Sequence, residues 1–218
     1  TFDNGDYALL YAKGPDDWQL DPGSLQNSRH QKNIYADKAT YFITTDQGPG
    51  LRIENSPAID NNAAVPLNTY QDFFVHELEE KNLFANGQQW LGEDLSFTNS
   101  KSYTLDFSGL VPTDNLYARL RGVAVSSTVS NMTLDINGQK VIDLAFSPVS
   151  NNSLRLASTA EGLQSILQSN PQLNITVTFN NSGNPSAKGY LDYFEIFGTR
   201  RLAVTSATSR RLGVPSLR

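Results

Sequence analysis

The feature that most constrains this chain is a recurring period of two. Short runs alternate apolar and polar residues, and turn residues interrupt them about every ten positions. Tyr103, Leu105 and Phe107 share one face of such a run. Leu116 to Val125 forms another, with Ala118, Leu120 and Ala124 on one face and Val123 and Val125 on the other. Met132, Leu134 and Ile136 alternate up to Asn137-Gly138, and Val141-Ile142-Asp143-Leu144 returns after it. Asn-Gly between two such runs marks a tight hairpin, because both central residues of that turn need positive φ. Leu173, Ile175, Val177 and Phe179 alternate cleanly, while Gly189 to Phe197 is apolar on both faces and reads as a central strand. The pattern predicts an all-β, jelly-roll β-sandwich.

The first part is less regular. Tyr7, Leu9 and Tyr11 alternate before the turn Gly14-Pro15-Asp16-Asp17. Ala39 to Thr44 is a strand candidate, and Gly48-Pro49-Gly50 precedes a hairpin return at Leu51-Arg52-Ile53. A polar, Asn-rich connection covers Glu54 to Asn68. The division that follows is a small β-hairpin region over 1–68, a sandwich over 69–202 and a basic linker or tail over 203–218. From Arg200 to the end there are five arginines with no acid and no aromatic. One helix is expected. Ser158-Thr159-Ala160-Glu161 fits a capping box, Leu163, Ile166 and Leu167 share a helical face, and Pro171 ends it. It would lie across one end of the sandwich.

Composition narrows the function classes. Charged residues make up 18%, against about 25% in an average soluble chain. Uncharged polar residues with 10% aromatics suit an exported β-protein, at the cell surface, the outer membrane or beyond the cell. The net charge of -5 and a pI near 5.0 argue against nucleic acid as a partner, since phosphate binding needs a basic face. No apolar run is long enough to span a membrane as a helix. The 218 residues contain no cysteine, which excludes disulfides, thiolate zinc sites and a cysteine nucleophile within this chain. A start at Thr1 reads as a processed or excised piece.

Candidate chemistry is sparse. His76-Glu77-Leu78-Glu79-Glu80 lacks the second histidine of a zincin, and Phe73-Phe74-Val75 before it look like strand. His76 and His30 therefore read as structural. Glu77 and Glu79 would share a strand face, but a glycosidase takes its two acids from separate strands as a rule. Asp135-Ile136-Asn137-Gly138 opens like a calcium loop, yet no Glu completes the spacing and the hairpin explains it. A calcium ion held by backbone carbonyls and scattered aspartates stays open, with no assignable ligands. There is no nucleophile elbow and no P-loop. Trp18 and Trp90 are the candidate ligand platforms. Each lies beside turn residues, where an exposed indole can stack on a sugar face while Asp or Asn takes hydroxyl hydrogen bonds. The competing reading makes each a plug at the edge of the core.

Four stretches together carry a family resemblance: DYALLYAKGPDDW over 6–18, HQKNIYADKATYF over 30–42, HELEEKNLFANGQQWLGE over 76–93, and GYLDYFEIFGTRRL over 189–202. Their order and spacing resemble the region ahead of the protease domain in PorU-type sortases. These are gingipain-like cysteine peptidases of the type IX secretion system in Bacteroidota. The resemblance covers most of residues 7–202. It implies a non-catalytic accessory domain that docks on a downstream protease domain or on secreted cargo, with the Cys/His chemistry elsewhere. The second half also resembles, at the level of fold, the galactose-binding-like jelly roll of carbohydrate-binding modules. That analogy supplies the alternative, a carbohydrate-binding module of an exported protein.

Overall fold

The structure is a computed structural model that describes residues 10–44, 48, 67–83, 89–150 and 155–202. The chain divides into two compact units, Thr1–Val65 and Pro66–Arg218.

In the first unit, β1 (Asp17–Gln19) pairs antiparallel with β2 (Arg29–Gln31). A single 3-10 turn, Leu25–Asn27, lies between them. The Asp21 carboxylate organises this connection. It accepts hydrogen bonds from the backbone N–H of Gly23 at 2.8 Å and from the Asn27 side chain at 2.9 Å. Ala39 to Thr44, expected as a strand, is irregular. Its Tyr41, Phe42 and Ile43 are exposed, and among the described residues no strand pairs with it. The expected runs at Tyr7 and at Leu51-Arg52-Ile53 lie outside the described residues, as does 203–218.

The second unit is a sandwich of two four-stranded antiparallel sheets. One has the order β3-β10-β5-β8, from Thr69–Glu77, Lys188–Arg201, Leu116–Val125 and Ser158–Ile166. The other has the order β4-β9-β6-β7, from Ser100–Asp106, Gln172–Asn180, Ser130–Ile136 and Gln139–Phe146. The inward residues are those of the period-two pattern. Met132, Leu134 and Ile136 meet Leu173, Ile175, Val177 and Phe179 in one sheet, and Leu116, Ala118, Leu120, Phe194 and Ile196 face them from the other. Asn137 and Gly138 have φ of 52° and 80°, the left-handed pair that the hairpin requires. The long β10 lies between β3 and β5, as its two apolar faces imply.

The expected helix is a strand. Ser158–Ile166 forms β8, in register with β5 from Leu116↔Ile166 to Ala124↔Ser158. The capping box is a local preference of about a kcal/mol. Against it stands a row of β5 backbone groups that only a neighbouring strand can satisfy. Gly162 lets this edge close on β7, because a Cβ there would sit 2.8 Å from a Leu144 methyl. Leu167, assigned to the buried helical face, is exposed. Arg200 belongs to β10 and not to a basic tail. It is buried, paired with Asp72, donates from Nε to the Ser108 carbonyl at 2.6 Å and lies over the Phe107 ring.

Candidate functional site

The most developed polar cluster sits where the edge strands of the two sheets meet. After Glu77, β3 ends and the chain turns away. The segment 91–95 takes its place beside β10, with Gly92 N–H bonding to the Leu191 carbonyl at 2.8 Å and Leu191 N–H to the Glu93 carbonyl at 3.0 Å. Leu95 is buried in the core between the sheets, Leu91 is buried in a separate apolar cluster with Val123 and Tyr190, and Glu93 between them is buried as well. Its carboxylate is therefore held inside. Oε1 accepts from the Tyr103 hydroxyl at 2.7 Å and His76 Nε2 at 2.8 Å, with Lys101 Nζ at 3.1 Å. Oε2 is buried without a hydrogen-bond partner among the described residues. The His76 ring packs on Tyr103 and Phe194. Burial pushes the Glu93 carboxyl upward, but the hydrogen bonds from His76, Tyr103 and Lys101 outweigh it and hold it at about 2. Such a group stays ionised at neutral pH and donates no proton. The arrangement is a clasp between sheets, with His76 on β3 and Tyr103 on β4 both bonded to Glu93.

A second cluster surrounds Asp192. A register shift in β10 between Leu191 and Tyr193 leaves Asp192 outside the β5 ladder, and it is buried beside Arg121 Nε at 3.0 Å. Burial raises its carboxyl to about 6; Arg121 opposes this, and Glu77, Glu79 and Glu161 add to it. Glu77 is the last residue of β3 and Glu79 lies beyond the strand, so the two acids do not share a regular strand face. Among the described residues no group of three or more His, Asp or Glu could hold a metal ion. Asp135 accepts a hydrogen bond from Thr133 and belongs to the hairpin.

The two tryptophans have different surroundings. Trp18 is half-buried in β1 and meets His30 of β2 edge-on, with centroids 5.3 Å apart. Trp90, in the second unit, is 40% exposed. Asn86-Gly87 before it lies outside the described residues, and Glu93 after it turns into the clasp.

No protein-family model matches this sequence, and no curated protein matches it by sequence. Among solved structures, dimeric latent PorU from Porphyromonas gingivalis matches 88% of this chain with a TM-score of 0.66 and 19% identity. The chain has a PorU-like fold. It spans 18% of the length of that PorU chain. The CBM36-1 domain of a multidomain xylanase from the hindgut metagenome of Trinervitermes trinervoides matches 58% of this chain and 98% of its own, with a TM-score of 0.40 and 17% identity. A family 35 carbohydrate-binding module from Clostridium thermocellum matches 61% of this chain and 98% of its own, with a TM-score of 0.33 and 15% identity.

The PorU-like fold accounts for the sandwich. HELEEK begins in β3 and the L-D-Y-x-E-I stretch is β10, and these two strands pair directly through Phe194↔His76. The sequence reading missed Glu93 as an interior residue. No local signal marks it, because Leu91 and Leu95 pack in separate apolar clusters and the partners of Glu93 lie on β3 and β4.

Proposed function

We propose that this chain is a non-catalytic accessory domain of an exported, gingipain-like cysteine peptidase, a sortase of type IX secretion. In this reading it docks on a downstream protease domain or on cargo. The observation that carries it is the PorU-like fold over 88% of the chain, within 18% of the PorU length. The chemistry of the chain supports it. There is no cysteine, and Glu93 is committed to holding the two sheets together. No helix among the described residues is long and apolar enough to cross a membrane, so an anchor or a β-barrel partner would be separate from them.

An antibody raised to this chain, applied to cells that produce it, tests the reading. The expected band is several times larger than 24.0 kDa, and deletion of residues 69–202 from that polypeptide should abolish cargo processing. A single band near 24.0 kDa defeats it.

A second reading is a carbohydrate-binding module, favoured by the 40% exposure of Trp90. In that case Trp90→Ala removes glycan binding while the thermal transition of the sandwich stays where it was.

A further inference from the structure

The described part of the first unit buries very little. Among residues 10–44 only Ser28 is buried, while Tyr35 is 88% exposed and Ile34 is 49% exposed. These two side chains line a groove of about 410 Å³ together with Pro15, Asp17, Gln31, Lys32 and Asn33. We propose that this groove binds an uncharged saccharide. The proposal shares only its ligand class with the second reading above and places binding at a different site.

Three properties of the groove select that ligand. The first is the aromatic face. Tyr35 is held out to solvent by a pinned turn: its N–H donates to Asn33 Oδ1 at 2.9 Å, and the Asn33 N–H donates to Asp16 Oδ1 at 2.9 Å. An exposed phenol on a pinned backbone presents a flat apolar surface, which suits the C–H face of a pyranose. The second is electrical balance. Lys13 pairs with Asp17, and Lys32 lies 3.5 Å from Asp16. Of these, Asp17 and Lys32 line the groove, one charge of each sign, so it carries no net charge to attract an anion or a cation. The third is the polar rim. The Gln31 side-chain amide makes no hydrogen bond among the described residues, which leaves it a donor pair and an acceptor to offer hydroxyls. An extended peptide is the competing occupant. It asks for a long strand edge or deep apolar pockets, whereas β2 is three residues long.

Affinity electrophoresis of the full chain through gels containing soluble xylan, galactomannan, mannan or dextran tests the proposal. At least one polysaccharide should retard the protein. Tyr35→Ala should weaken that binding roughly tenfold and Gln31→Ala by a smaller factor, with unchanged far-ultraviolet circular dichroism. Phe97→Ala, 98% exposed in the other unit, should bind as the parent does. Retardation should persist between about 50 and 500 mM salt. If Trp90→Ala and not Tyr35→Ala removes binding, the groove falls and the second reading stands. If no polysaccharide retards the chain, both fall. Retardation that disappears with salt, or capture of peptides with no polysaccharide retained, also overturns the groove.

Discussion

Tyr103 of β4 donates its phenolic hydrogen to the Glu93 carboxylate at 2.7 Å, and so ties one sheet to the segment that pairs with β10 of the other. The donor meets an ionised acceptor in a half-buried setting, which makes the bond stronger than one between neutral groups. Tyr103→Phe keeps the ring against His76 and Phe194 and removes the donor. The expected loss is about 1.5–3 kcal/mol in urea unfolding. An unchanged midpoint would show that the clasp carries no stability.

The same clasp gives an acid limit. The Glu93 carboxyl titrates at about 2 in the fold, below its ordinary 4.5. A lowered carboxylate contributes fully above the unfolded value and loses that contribution as pH falls through the folded value. Thermal stability should therefore drop between pH 4.5 and about 2. Glu93→Gln should be less stable at pH 7 and lack most of that slope. A parallel slope in both proteins would assign the acid limit to other carboxylates.

Asp192 works in the opposite direction. Burial raises it from 3.8 to about 6, so its charged form is disfavoured in the fold. Both states hold the proton below 3.8, and stability is lost as pH rises from 3.8 through about 6. Asp192→Asn removes the charge that burial penalises. At pH 8 it should gain about 1–3 kcal/mol over the parent, and at pH 4 the two should converge. Destabilisation at pH 8 would mean that the Arg121 contact outweighs the desolvation.

These groups also show which parts of the fold were legible in the sequence. Period-two alternation placed β5, β6, β7 and β9, because each buries one face against the other sheet. The two apolar faces of Gly189–Phe197 placed β10 at the centre. β8 was misread because a capping box and an i, i+3, i+4 set of apolar residues are local signals, whereas the open edge of β5 is a tertiary demand. The clasp was not legible, because the partners of Glu93 come from β3 and β4, remote in sequence. Asp192 was not legible at all. Its burial follows from a register shift that no composition or spacing announces. Tyr35 was quoted only within a family stretch, since nothing local separates an exposed tyrosine from a core one.

Gly189 is a matter of space. A Cβ there would overlap the buried Phe179 ring, which packs directly on this backbone. At Gly122 the nearest atom is Met132 Sδ at 2.7 Å, on a side chain that can rotate aside. Gly189→Ala should cost about 1–3 kcal/mol and Gly122→Ala less. A combined Gly189→Ala/Phe179→Leu protein should regain part of the loss. Equal losses at the two glycines would put the strain in the backbone and not in the ring.

Arg119 of β5 and Glu195 of β10 stand directly opposite each other in the ladder and form a buried ion pair. Neither is more than 1% exposed, and both lie on the sheet face that looks away from the sandwich core. The Arg119 guanidinium lies over the Phe197 ring, which stacks on Tyr117 and Phe73 across three strands. Glu161 Oε1 also lies 3.8 Å from Arg119 Nε, and removing one member of a buried pair costs about 3–5 kcal/mol. Arg119→Met should show that loss in urea unfolding. The double variant Arg119→Met/Glu195→Leu should recover most of it, because two apolar side chains of similar volume then face each other. Arg119→Lys should fall between, since an ammonium keeps the charge but loses the planar contact with Phe197. If the double variant is no better than Arg119→Met, the loss comes from packing on the aromatic row and not from the Glu195 charge.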